Sequence, residues 1–419
     1  MEKFIIEGGK KLEGEIDVQG SKNGAAAVLA ACLLTKEECV IDNLPLVCDV
    51  LNLLQLMEQM GSVVQWLDKR TVKIKAENLH ADKIDFVKFS QSRTSVLLIG
   101  ALVNRFSYFK VSRPGGDRIG LRPISTHLQA LKNLGIEVKT EGDFYFFEVK
   151  NLKGQEIILP EFSVTATEIL IMAAVLAQGT TIIKIAAGEP HIQDLVLMLN
   201  KMGASIQWQG SHTLIINGVK ELGGTQHRVI ADAIEAGTFM VMGILCGGKV
   251  IVKNVEGDYL DLFYEKLTEM GVSYQKNNNT VMVQGCSDFA PVKIQALPYP
   301  GFPTDLLPLM APLLTQAKGK SLLHDPLYEN RFNYIHQLRK MGADIEMVDP
   351  HRVFVFGPTA LFGVSIESWD IRAGASLLAA ALFAKGKTQI SNIEQIDRGY
   401  EKIEERLQKL GAEIKRIAN

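Results

Sequence analysis

Six stretches of the chain are apolar almost all the way round a helix: Ala25–Leu34, Ser95–Val103, Ile169–Ala177, Thr238–Cys246, Leu306–Leu314 and Ala375–Ala384. A helix without a polar face needs protein on every side, so these runs predict six buried helices. Between them lie runs with a single apolar face, such as Leu128, Leu131 and Leu134, or Phe332, Ile335, Leu338 and Met341, or Ile403, Leu407 and Leu410. That spacing predicts amphipathic helices. Each of these runs ends in Met-Gly or Leu-Gly, at Met60-Gly61, Leu134-Gly135, Met202-Gly203, Met270-Gly271, Met341-Gly342 and Leu410-Gly411. Glycine just past the last apolar residue supplies a left-handed cap. Strands follow, as at Ser62–Trp66, Ala204–Trp208 and Ala412–Lys415. After four of the buried helices a glycine leads into another strand, from Gly179, Gly248, Gly319 and Gly386.

The pattern is therefore one unit of strand, buried helix, strand, amphipathic helix and hairpin, repeated six times at a spacing of about 70 residues. The chain has 419 residues, more than one ordinary core accommodates. The expected fold is α/β, with two domains of three repeats each. The chain is expected to cross between them near Gln19–Lys22 and again near His227–Asp232. That gives one domain over 22–230 and a discontinuous second over 1–21 plus 231–419. A solenoid would use shorter repeats.

Composition narrows the partners. Apolar residues make up 47%, charged residues 22%, and the formal net charge is −2. Nucleic acid and anionic membranes both favour a basic excess, so neither is an expected partner. The N-terminus lacks the basic-then-apolar pattern of a signal peptide, and the longest apolar runs are about half a membrane span. A cytoplasmic protein is expected. The five cysteines form no C-x-x-C pair and read as small hydrophobes, and the eight histidines show no ligand spacing. No metal site and no cofactor is expected.

The starts of the buried helices carry the candidate chemistry. Lys22-Asn23, Arg93-Thr94, Thr165-Ala166-Thr167, Asp232 with Glu235, Thr304-Asp305, and Asp370 with Arg372 occupy equivalent places. Positive charge opposes the helix dipole at an N-terminus. Lysine and arginine there make sense beside an anionic ligand, held by cations and free backbone N–H groups together. A second feature is Arg113-Pro114-Gly115-Gly116-Asp117-Arg118-Ile119-Gly120-Leu121-Arg122-Pro123, whose glycines and arginines read as a mobile lid.

The motifs Gly20-Ser21-Lys22-Asn23, Pro114-Gly115-Gly116 with Ile119-Gly120 and Arg122-Pro123, Phe302-Pro303-Thr304-Asp305, Glu329-Asn330-Arg331-Phe332 and Asp397-Arg398-Gly399-Tyr400-Glu401 resemble the family of UDP-N-acetylglucosamine 1-carboxyvinyltransferases. These are enolpyruvyl transferases of early peptidoglycan synthesis. The resemblance spans the whole chain and implies two inside-out α/β barrels with the active site in an interdomain cleft. It implies transfer of the enolpyruvyl group of phosphoenolpyruvate to the 3-hydroxyl of a UDP-sugar by addition and elimination, without a cofactor, in a monomer. Lys22, Arg122 and Arg398 match donor-binding positions, supported by Arg331 and Arg372. Asp305 matches the base or orienting group, and Asp117 the lid acid. Asn23, Arg93, Pro123, Ser125, Ser163, Val164 and Leu327 match further substrate contacts.

Some positions depart from the family pattern. Asp117 replaces the usual lid cysteine, which implies insensitivity to fosfomycin. It also implies an acid-shifted pH profile, because Arg113, Arg118 and Arg122 lie nearby. Ser125, Glu161, Gly188, Ala233 and Thr165 replace an aspartate, a lysine, two arginines and a glycine on the acceptor side. Transfer to another nucleotide acceptor and a non-catalytic sugar-nucleotide binder are the alternatives. The lid motifs match the nucleotide-sugar branch rather than shikimate chemistry.

Overall fold

The computed structural model describes residues 2–286 and 288–418. They divide into two compact units. The N-terminal unit comprises residues 20–116 and 122–230, and the C-terminal unit residues 2–19, 117–121 and 231–418. Gly20 and Ser21 thus fall on the N-terminal side of the first crossing. The lid tip, Asp117–Leu121, belongs by its contacts to the C-terminal unit.

Six sheets occur among the described residues, three in each unit. In the C-terminal unit, Glu2–Glu7 lies between Lys387–Ser391 and Glu413–Ala418 and pairs antiparallel with both. Its alternation explains the placement, because Phe4 and Ile6 are fully buried while the residues between them are only half-buried. The parallel pairs Glu156–Ile158 with Thr180–Lys184, Lys293–Gln295 with Gly319–His324, and Ser365–Glu367 with Lys387–Ser391 each flank a buried helix, the strand–helix–strand crossover expected from the pattern. At the crossings the local order is exchanged. Gly14–Asp17 pairs with Lys249–Lys253, and Thr225–Arg228 with Glu38–Asp42.

The six apolar runs are helical and buried, but most of the helices begin earlier than the apolar pattern does. They span Lys22–Ala31, Thr94–Leu97 continuing as Leu98–Leu102, Val164–Ala174, Ala233–Leu245, Leu307–Leu314 and Ile371–Phe383. Polar caps extend three of them. Ser21 accepts from Gly24 N, Asp232 from Ile234 N and Glu235 N, and Asp370 from Arg372 N and Ala373 N. The second helix opens as a 3₁₀ turn, because the Ser95 hydroxyl donates to the carbonyls of Phe89 and Ser92. In each unit the three helices lie inside one continuous apolar cluster. Alanines at 25, 26, 27, 30 and 31, all without exposure, allow the close approach.

The repeat glycines behave as the pattern requires. Gly61, Gly135, Gly203, Gly271, Gly342 and Gly411 all have φ between 82° and 104°. A second signature recurs at the ends of strands. Asn43, Ile185, Asn254 and Asn392 each follow a strand and are also left-handed. Asparagine tolerates this conformation, whereas the β-branched Ile185 is strained there.

One expectation fails. The second repeat has no leading strand, and its sheet has three strands, Tyr108–Ser112, Phe144–Val149 and Ile136–Glu141. The segment before its buried helix instead forms short helical turns, Ala81–Lys83 and Phe86–Phe89. Asp85 caps Lys88 N, and Phe86 packs edge-on against Phe144 at 5.2 Å. Among the described residues, no helix is long and apolar enough to cross a membrane, and no group of three or more histidines, cysteines or acids is arranged to hold a metal. Cys32, Cys39 and Cys246 are buried, but Cys48 is exposed, unlike the small buried residue its type had implied.

Candidate active site

In the N-terminal unit the first buried helix begins at Lys22, whose side chain is nearly buried. Its Nζ pairs with Asp49 at 3.2 Å, and the Asp49 side chain is 3% exposed. The positive charge at this helix start therefore has a protein carboxylate as partner. Asp49 carries no sequence signal of a site role, because an acid in the first turn of an amphipathic helix looks like an ordinary dipole partner. Asn23 follows, half-buried.

Arg93 holds the lid's trailing edge. Its guanidinium donates to the carbonyls of Arg122 at 2.7 Å and Pro123 at 3.3 Å. Arg122 has φ 43°, a left-handed conformation that costs a non-glycine residue about 1 kcal/mol, and the Arg93 bond helps to fix it. Ser125 opens the helix Ser125–Asn133 and is exposed. Ser163 precedes the helix Val164–Ala174 without capping it through its side chain, unlike Ser21, Asp232 and Asp370, so this helix keeps its first-turn N–H groups uncapped by that hydroxyl. Beside it, the exposed Glu161 accepts from Thr126 at 2.9 Å.

His127 joins these two helices, with Nε2 2.7 Å from Thr165 Oγ1. Burial, reinforced by Arg93 and Arg122, lowers its pKa to about 3, from the usual 6.5. The folded state therefore binds fewer protons than the unfolded state between about pH 3 and 6.5. Stability is full above 6.5 and is lost as the pH falls through that window. Relative to His127→Gln, the wild-type protein is expected to lose about 2 kcal/mol more between pH 7 and 4.5. Urea midpoints at the two pH values measure this; parallel losses in both proteins would refute it.

In the C-terminal unit the centre is Asp305, in the turn before the helix Leu307–Leu314. Its carboxylate pairs with Arg331 at 3.0 Å and Arg372 at 3.2 Å. Both arginines are almost completely buried. Burial works against the charge on Arg372, yet Tyr400, Asp305 and Asp232 together hold its pKa above the usual value. Its Nη1 is buried with no hydrogen-bond partner. Asp370, which caps the helix carrying Arg372, accepts from Asn333 at 3.2 Å. Burial pushes its carboxyl up, against the pull of Arg331. Leu327 is 40% exposed on the neighbouring loop.

The lid tip is fastened to this unit. Asp117 accepts from Arg398 at 2.7 Å, and the same guanidinium nitrogen reaches Gln395 at 3.1 Å. Asn330 N donates to Ile119 O at 3.0 Å, its side-chain amide donates to Arg118 O, and Leu121 N donates to Glu329 at 2.8 Å. Gly120 leaves room for that last bond, since a Cβ there would sit 2.4 Å from the Glu329 carboxylate. Glu329 and Asn330, from a motif already singled out, are thus clasp residues. Arg398 is a cation at Asp117 that lies far from it along the chain.

The sequence profile of the EPSP synthase family (3-phosphoshikimate 1-carboxyvinyltransferase) matches residues 6–407, and the chain belongs to this family of carboxyvinyl transferases. Within it, the chain is 42% identical to a Bacteroides thetaiotaomicron protein over the full length of both, and 41% identical to one from Koribacter versatilis over 100% of this chain and 97% of that one. Both relatives are named UDP-N-acetylglucosamine 1-carboxyvinyltransferase. The fold is shared with the enolpyruvyl transferase NikO of Streptomyces tendae, at TM-score 0.91 and 23% identity, covering 100% and 99% of the two chains. It is shared also with an EPSP synthase of Acinetobacter baumannii, at TM-score 0.77 and 19% identity, with both chains fully covered.

Proposed function

We propose that this protein transfers the enolpyruvyl group of phosphoenolpyruvate to the 3-hydroxyl of UDP-N-acetylglucosamine, releasing phosphate, as a cytoplasmic monomer in early peptidoglycan synthesis. The observation that carries the reading is the Asp305 carboxylate held between two buried arginines, one of which keeps an unpartnered nitrogen. A buried donor without a partner is costly. An anionic or hydroxyl oxygen of a substrate would satisfy it. Family membership and the full-length relatives support the same activity.

In this reading Asp305 accepts the hydrogen bond of the acceptor hydroxyl and takes its proton as the oxygen adds to C2 of phosphoenolpyruvate. Lys22, Arg122 and Arg398 hold the donor's phosphate and carboxylate, with Arg331 and Arg372 supporting the charge. A proton reaches C3, and Asp117 supplies it. To do so Asp117 must exchange its bond to Arg398 for the proton, and an incoming donor anion, competing for Arg398, releases it. In the second step phosphate leaves C2 while a C3 proton returns to the Asp117 carboxylate, which restores the carbon–carbon double bond and completes the transfer. Asn23, Arg93, Pro123, Ser125, Ser163, Val164 and Leu327 contact the acceptor.

The test is phosphate release from phosphoenolpyruvate with UDP-N-acetylglucosamine, against other UDP-sugars and uridine nucleotides as acceptors. Release only with another acceptor would overturn the acceptor assignment, and binding without release the enzymatic one. Asp117 also makes an epoxide electrophile a poor inactivator, because a carboxylate is a far weaker nucleophile than a thiolate. Incubation with fosfomycin is expected to leave activity unchanged and to form no adduct. An adduct on Asp117 by mass spectrometry would contradict this.

A further inference from the structure

Asp325 lies at the end of the strand Gly319–His324 and is wholly buried, yet none of the assigned steps uses it. Each of its polar atoms is engaged. Oδ1 accepts from Leu327 N at 2.9 Å and Tyr328 N at 3.1 Å, which shapes the loop carrying Leu327. Oδ2 accepts from the Thr304 hydroxyl and lies 3.5 Å from Arg331 Nε. The Thr304 oxygen in turn accepts from Arg331 Nε at 3.1 Å. The Asp325 backbone is fixed by His351, whose carbonyl accepts from Asp325 N at 2.8 Å and whose Nδ1 is 2.7 Å from Asp325 O.

We propose that Asp325 is a positioning residue for enolpyruvyl transfer, which orients Arg331 and Thr304 so that Asp305 is presented to the acceptor hydroxyl. The inference rests on the function proposed above. Arg331 is a buried cation with two carboxylate partners, Asp305 toward the site and Asp325 behind it. A planar guanidinium holding two carboxylates through different nitrogens has its rotation fixed. Nη2 then meets Asp305 while Nε meets Thr304. Thr304 is the residue immediately before Asp305, so the Asp325–Thr304 bond also sets the backbone from which Asp305 projects. The whole set is within the C-terminal unit, on the turn before one core helix and the loop after one strand.

Asp325→Asn preserves shape and leaves an acceptor for the Leu327 and Tyr328 amides, but removes the charge behind Arg331. Thr304→Val removes the relaying hydroxyl without changing charge, and serves if the first variant does not fold. Each is expected to lower kcat by about tenfold to a hundredfold, the range of one charge-assisted hydrogen bond, with KM for both substrates within about twofold. A residue that merely stabilises the fold would lower the melting temperature without that split. Wild-type kcat in a folded variant, or a loss seen only as raised KM, would overturn the proposal. The crystal structure of the Asp325→Asn protein is expected to show Arg331 turned away from Asp305. An unchanged Arg331–Asp305 pair would overturn the positioning role whatever the wild-type enzyme's activity. Absence of turnover by the wild-type enzyme with every acceptor would instead overturn the functional reading.

Discussion

Asp305→Ala is expected to lower kcat by about a thousandfold, the middle of the range for losing a positioned acid or base. The size follows from what the carboxylate holds together. Arg331 and Arg372 converge on it from two sides, and neither can follow solvent if it leaves, since their side chains are 1% and 4% exposed. The variant thus loses the proposed acceptor for the hydroxyl proton and also leaves two buried cations with one carboxylate fewer. Removing one partner of a buried pair destabilises by up to about 3–5 kcal/mol. The partial exposure of Asp305, 30% of its side chain, reduces that figure. Asp305→Asn separates the two effects. It keeps a hydrogen-bond acceptor but cannot take a proton, so the activity loss should persist while much of the stability returns. Steady-state phosphate release beside urea melts of the three proteins reads both quantities. An alanine variant with wild-type kcat would remove Asp305 from the mechanism.

Arg398→Ala is expected to lower kcat/KM for the donor by about a hundredfold or more. One guanidinium serves two roles here. It is the proposed cation for the donor, and it binds Asp117 and Gln395 through a single nitrogen. Its loss therefore weakens donor binding and releases one of the lid's fastenings together. Arg398→Lys keeps the charge but not the fork, so it should recover only part of the rate. The lid can be read separately, because it contains the exposed Arg118, followed by Ile119, whereas Arg113 and Arg122 each precede a proline that blocks tryptic cleavage. Trypsin should cut there faster in Arg398→Ala than in the wild-type protein. Unchanged cleavage with lost activity would assign Arg398 to the donor alone.

Much of this was legible along the chain because its signals are local. A helix apolar on all faces must be buried, and a glycine after the last apolar residue of an amphipathic helix must be left-handed. Both rules held at all six repeats. Helix starts were less legible, since Ser21, Asp232 and Asp370 extend their helices through side-chain caps that the apolar pattern does not register. Partner choice was least legible. Lys22 finds Asp49, Arg398 finds Asp117, and Arg331 shares Asp305 with Arg372. Each partner lies tens to hundreds of residues away, and an isolated aspartate at any of these positions reads as a cap or a solvated charge. The missing strand of the second repeat had a local sign, the cap-forming Asp85 ahead of Phe86, but the repeat pattern outweighed it. The left-handed asparagines at 43, 254 and 392 recur after strands, a local signal that the sequence also carries.

We propose that the two arginines around Asp305 serve enolpyruvyl transfer to a nucleotide sugar. The most direct test is mass spectrometry of the products from purified protein, phosphoenolpyruvate and UDP-N-acetylglucosamine, with phosphate measured in the same sample. One phosphate is expected for each UDP-sugar that gains an enolpyruvyl group at its 3-oxygen. Unmodified UDP-N-acetylglucosamine and no phosphate, from a protein shown to bind both substrates, would contradict it.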